Sequence, residues 1–173
     1  MGKYIDKIKR GIIRETLCVN ITAVAVCACI GAFLCLIFSV GGIDYGVYRE
    51  TEQPRFYFPC IVMAALLIIF CALIGAAAGL TLSTPYYRRN RAKTASVALA
   101  VCMLFLCFAW ISLVYTASSF FVAFIVCLIN LVFSAMIFRL YIEINALAAW
   151  CMIIFAFFDF YLACYSISLF ILN

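Results

Sequence analysis

Residues 94–138 read TASVALAVCMLFLCFAWISLVYTASSFFVAFIVCLINLVFSAMIF, without one Asp, Glu, Lys or Arg. A hydrocarbon core about 30 Å thick is crossed by about 20 helical residues. The run is about twice too long for one crossing and too apolar for any loop in water. Its middle, YTASSFF (115–121), supplies small polar residues for a tight turn at a membrane surface. The run therefore divides into two transmembrane helices.

The same pattern extends in both directions. No charged residue lies between Glu15 and Asp44, between Arg55 and Arg88, or between Lys93 and Arg139. Of the 173 residues, 70% are hydrophobic and 11% charged, where a soluble domain carries roughly 25% charged residues. The expectation is an all-α integral membrane protein: one domain over residues 1–173, a bundle of five transmembrane helices near 17–40, 59–82, 95–115, 119–138 and 146–172. The basic start and long apolar segment at the N-terminus read as a first transmembrane helix and not a cleaved signal. The apolar stretch exceeds 20 residues and has no clean small-x-small site. KYIDKIKRGIIR (3–14) suits anchoring on an anionic leaflet.

Lys and Arg orient the bundle. Lys3, Lys7, Lys9, Arg10, Arg14, Arg88, Arg89, Arg91, Lys93 and Arg139 fall on one side of a five-helix arrangement, and Arg49 and Arg55 on the other. This places the N-terminus in the cytoplasm and the C-terminus outside. The charge bias and the cysteine-rich helices point to a bacterial cytoplasmic membrane, with an organelle membrane as the alternative.

Absent residues narrow the function. There is no histidine, which removes the commonest general base and metal ligand. Beyond residue 52 the only carboxylates are Glu143 and Asp159. A histidine-dependent protease, a zinc site of the HExxH type, a multi-carboxylate pump and a nucleotide-driven engine all lack parts. The expectation is no enzyme, no cofactor, no metal and no nucleic-acid partner. The eleven cysteines include no Cys-x-x-Cys pair. They read as small apolar residues in helix interfaces, not as a thiol–disulfide centre.

Two stretches bear on function. The second span begins at Pro59, suited to a first turn, and carries Gly75-x-x-x-Gly79, which allows close backbone approach within the monomer or in a dimer. The fifth span contains FFDFY (157–161). A carboxylate in lipid costs several kcal/mol unless it is paired, protonated or facing a cavity. At 100° per residue, Phe155, Phe158, Asp159, Leu162, Tyr165 and Ser166 share an arc of about 120°. Large rings with a few polar groups suit the wall of an apolar pocket. The alternative is an aspartate satisfied by a neighbouring helix, through Asn130 or a tyrosine. Trp110 and Tyr115, in LCFAWISLVY, also fit an interfacial aromatic belt.

From residue 47 to 173 the chain resembles the TspO/MBR family, the translocator proteins and bacterial tryptophan-rich sensory proteins. Pro54, Pro59, Gly75, Ala77 and Ala78 fall in register with that family's first loop and second helix, and Tyr48 with the tyrosine before them. Leu106, Trp110 and, loosely, Tyr115 match its third helix; Phe158, Ser166 and Leu172-Asn173 match its last. Where the family has other residues, this chain has Leu67, Cys71, Cys107 and Ile154. The resemblance implies a five-helix receptor or transporter, usually a homodimer, that binds porphyrin or haem, and in some members cholesterol, in a pocket capped by the first loop. On that basis Tyr48, Leu67, Cys107, Trp110, Phe155, Phe158, Asp159, Leu162, Tyr165 and Ser166 form the expected ligand-binding set, with Asp159 and Ser166 at the ligand's polar edge. Gly75 and Gly79 are the expected helix-packing or dimer residues. A sterol-recognition pattern at Leu82, Tyr86 and Arg88 is a minor signal. The family's light-driven porphyrin breakdown is not expected, because several of its tryptophans are missing. The competing reading is a structural helix bundle, packed with no space between helices 1, 2 and 5.

Overall fold

The computed structural model describes residues 20–42, 51–84 and 90–173. Among these residues every regular element is α-helix: α1 (Ile21–Gly42), α2 (Cys60–Ser83), α3 (Asn90–Tyr115), α4 (Phe120–Ile144) and α5 (Ala146–Leu172). Helices suit such sequences because lipid offers backbone groups no hydrogen bonds, so each segment must satisfy its own. Four of them, α2 to α5, are long and apolar enough to cross a membrane; in α1 the apolar stretch is the shorter Ile21–Ile37.

The ends have local causes. Pro59 precedes α2 with φ −51°, and its carbonyl accepts from Met63 at 3.0 Å, so the missing proline N–H costs nothing. The α3–α4 turn lies inside YTASSFF. Ser118 takes φ 49°, while the Thr116 and Ala117 amides donate to the Ser112 carbonyl at 3.1 and 3.0 Å. One residue, Asn145, joins α4 to α5. Its amide donates to the Tyr141 carbonyl at 2.7 Å. Its side-chain oxygen accepts from the Leu147 and Ala148 amides at 2.9 and 3.3 Å, capping α5. Its Nδ2 donates to Thr84 Oγ1 at 3.0 Å, fastening this joint to the end of α2. Lys93 also donates to the Thr84 carbonyl.

Three helices differ from the sequence expectation: α1 runs Ile21–Gly42 against 17–40, and two others shift by five residues or more. α3 starts at Asn90, not 95, and α4 continues to Ile144, not 138. Arg139 and Glu143 are thus helical: leaving the hydrocarbon ends the need for apolar side chains, not the helix.

The helices close into a ring. α1 packs on α2 and α3, α2 also on α5 and α3, α5 on α4, and α4 on α3. α1 and α2 approach backbone to backbone. A Cβ on Gly31 would lie 2.5 Å from the Cys71 carbonyl oxygen, one on Gly79 2.7 Å from Val24 Cα, and one on Gly75 inside the contact distance of the Cys27 carbonyl. Gly75 and Gly79 therefore serve contact within the chain; the dimer reading of these two glycines gives way to packing against α1. Outward-facing Phe33, Ile69, Phe105, Val132, Trp150, Phe157 and Phe160 are exposed, as a lipid-facing surface demands.

Candidate functional site

α5 positions the site. Its buried face carries Phe155, Phe158, Asp159, Leu162, Tyr165 and Ser166, the arc expected from helical spacing. Leu67, Cys107 and Trp110 are buried as well. Tyr48 lies outside the described residues, as do Tyr86 and Arg88 of the sterol pattern. The arc faces α2 and α4, with Trp110 of α3 reaching Tyr165 and Ser166, while α1 packs mainly on α2 and α3.

The rings form a ladder. Phe70 of α2 lies on Phe158 with centroids 3.9 Å apart and planes at 5°. Phe158 continues to Tyr161, and Tyr161 to Tyr165, each at 6.3 Å and near parallel. Trp110 meets Tyr165 at 6.3 Å and Tyr115 edge-on at 6.1 Å. Trp110 is 1% exposed, and its indole donates to Ser166 Oγ at 2.8 Å. Ser166 Oγ donates to the Leu162 carbonyl at 2.9 Å. Trp110 is thus a core residue bonded to α5, and the belt reading fails for it because its N–H is satisfied inside the bundle.

Asp159 stands midway along α5 and is 0% exposed. Asn130 of α4 lies beside it, but donates its Nδ2 to Cys107 Sγ at 3.5 Å. Among the described residues, neither Asp159 oxygen nor Asn130 Oδ1 has a partner within hydrogen-bond geometry. The Asn130 amide has a second hydrogen and interacts with the Asp159 side chain, so it stays the partner that the alternative reading names. Thiols complete the surroundings. Cys127 adjoins Asp159 and Ser166, and Cys71 adjoins both Cys35 and Cys107. All ten described cysteines are free thiols.

The segment before α2 covers the C-terminal end of this face. Tyr165 OH donates to Gln53 Oε1 at 2.8 Å, and Tyr161 OH to the Phe56 carbonyl at 3.3 Å. Asn173 exchanges two bonds with the Glu52 backbone, at 2.9 and 3.1 Å. Sequence reasoning missed Gln53, Phe70 and Cys127. α2 is apolar on every side, so nothing in it marks Phe70 as the inward ring; Gln53 was readable only as a polar loop residue.

Open space lies elsewhere. A cavity of about 580 Å³ sits at the C-terminal end of α5, among Thr51, Ser118, Phe121, Phe170 and Asn173. A groove of about 520 Å³ runs between α4 and α5, lined by Ser134, Ala135, Met152, Ala156, Phe157 and Phe160. Further hollows, of about 470 and 550 Å³, adjoin α1 and the Gln53–Phe56 segment. None of these is lined by Asp159 or Phe158.

Two comparisons bear on this architecture. The chain matches the model of the TspO/MBR family over residues 23–171, which takes in α1 as well as the part from residue 47 that carries the resemblance. No curated protein matches the chain.

Proposed function

The chain belongs to the TspO/MBR family, and on that premise we propose that it is a membrane receptor or transporter-like protein for a flat hydrophobic ligand. A tetrapyrrole is the first choice and a sterol the second. The observation that carries this reading is Asp159: a carboxyl buried at mid-membrane with neither oxygen in geometric hydrogen-bond contact among the described residues, on a helix face otherwise built of rings. Such a group is costly in lipid, and a ligand that engages it gives the cost a purpose. Phe158, Trp110 and Tyr165 enclose the ring system, Leu67 and Cys107 complete the walls, and Asp159 and Ser166 meet its polar atoms. The protein acts by binding, without catalysis or a resident cofactor.

In this reading α1 is the fifth crossing, the N-terminus is cytoplasmic, and the host is a bacterial cytoplasmic membrane. Ligand enters by displacing Phe70 from Phe158, since aromatic stacking is worth only about 0.5–1.5 kcal/mol. Two copies associate through lipid-facing surface, the Gly75 face being occupied by α1. The second reading, a packed structural bundle, is favoured by one observation: the cavities described do not reach Asp159 or Phe158.

The deciding experiment titrates detergent-purified protein with protoporphyrin IX and hemin, following quenching of Trp110 in a Trp150→Phe background. The receptor reading expects saturable micromolar quenching, weakened at least fivefold by Phe158→Ala. Non-saturable quenching, equal in both proteins, would leave the structural bundle.

A further inference from the structure

The described Lys and Arg residues, Arg55, Arg91, Lys93 and Arg139, all lie in a connection or toward a helix end. None is near the middle of α5, where Asp159 sits. The groups that approach Asp159 from its packed neighbours are Asn130 and Cys127 of α4, with Cys107 of α3 behind Asn130. From α2, Phe70 packs on the adjoining rings Phe155 and Phe158. On α5 itself, Phe155 and Leu162 flank the carboxyl at one-turn spacing. Among the described residues this surrounding holds one amide shared between Cys107 and Asp159, thiols and rings, and no positive charge.

A ligand that engages the two Asp159 oxygens does so with donors or a cation, because carboxylate oxygens only accept. A ligand whose polar groups are carboxylates brings the opposite. Two carboxyl groups sharing a dry site repel if both are ionised, and no Lys or Arg in the described interior would neutralise the incoming one. A cationic nitrogen gains a counter-charge in a low-dielectric setting and attraction from ring faces such as Phe155.

We infer that the site sorts flat ligands by the sign of their polar groups: Asp159 accepts a ligand that presents a cationic nitrogen or a cluster of N–H donors, and disfavours one that presents carboxylates at that depth. This inference rests on the flat-ligand reading and narrows its ligand class. Asp159 is then the specificity-determining residue of the site, and the aromatic ladder its shape filter.

The test uses the full chain in an uncharged detergent, again with Trp150→Phe so that Trp110 reports. Three porphyrins share one ring: protoporphyrin IX with two carboxylates, its neutral dimethyl ester, and its amide derivative with two terminal amines. The expected order in the wild-type site is diamine, then ester, then dicarboxylate, with at least tenfold between the first and last. Asp159→Asn is expected to reduce that ratio to less than threefold. A dicarboxylate that binds as tightly as the diamine overturns the inference while leaving the flat-ligand reading standing. So does a tenfold preference that survives Asp159→Asn. The wild-type order is decisive even if the variant fails to fold. Saturable binding by none of the three removes the flat-ligand reading itself, and the inference with it.

Discussion

α2 makes two contacts of opposite character. Toward α1 it offers Gly75 and Gly79, so that backbone meets backbone and no side chain intervenes. Toward α5 it offers Phe70, a ring laid flat on Phe158, the residue next to a carboxyl that has no geometric hydrogen-bond partner among the described residues. In lipid, tight contact of small residues is the main source of helix association, because there is no hydrophobic gain from hiding one apolar surface against another. The α1–α2 seam is therefore the rigid frame. The α2–α5 seam is filled by side chains with rotatable bonds and retains an unmet polar demand. A frame that holds and a face that can rearrange are what a binding bundle needs.

Substitutions with opposite signs of effect can break this contrast. Gly75→Leu should be the most damaging, because the side chain would enter the Cys27 backbone; overpacking costs about 1–3 kcal/mol and more where backbone must move. A fall in Tm of many degrees in detergent is expected, and an unchanged Tm would show that the seam is not rigid. Asp159→Val should go the other way. Removing a buried polar group without a partner returns about 1–3 kcal/mol, so Tm should rise; a fall would make Asp159 a packing residue and undo the site. Smallest is Ser166→Ala. It orphans the Trp110 indole N–H, and hydrogen bonds between membrane helices average about 0.6 kcal/mol. A slight Tm loss with a changed Trp110 emission spectrum is expected, and an unchanged spectrum would mean that the bond does not persist.

Much of the frame was legible in residues alone. Long gaps between charges pointed to five crossings, of which four are long and apolar enough in the structure, and YTASSFF announced the break that Ser118 makes with its positive φ. Resemblance at Pro54, Pro59, Gly75 and Trp110 led to the family that the wider match over 23–171 confirms. The ends of α3 and α4 were not legible, because an apolar pattern marks where lipid stops and not where hydrogen bonding stops. On α5 the one carboxyl among rings made the inward arc readable. On α2 every face is apolar, so neither Phe70 nor the choice of α1 as the partner of Gly75 could be read from sequence. Cys35, Cys71, Cys107 and Cys127 read only as small packing residues; that Cys71 joins Cys35 to Cys107, that Cys107 meets Asn130 and that Cys127 adjoins Asp159 needed the fold.

The bonds between the Glu52–Phe56 segment and the last helix carry a kinetic consequence. Gln53 with Tyr165, Phe56 with Tyr161 and Glu52 with Asn173 hold that segment down at three points along α5. At about 1 kcal/mol for each bond, the latched form outnumbers the released form, yet thermal opening stays frequent. A molecule seated below would leave by that end only during those openings, so its residence time would follow the latch and not its grip on the walls. Loosening a single tie would then shorten occupancy even where it leaves the seat itself untouched.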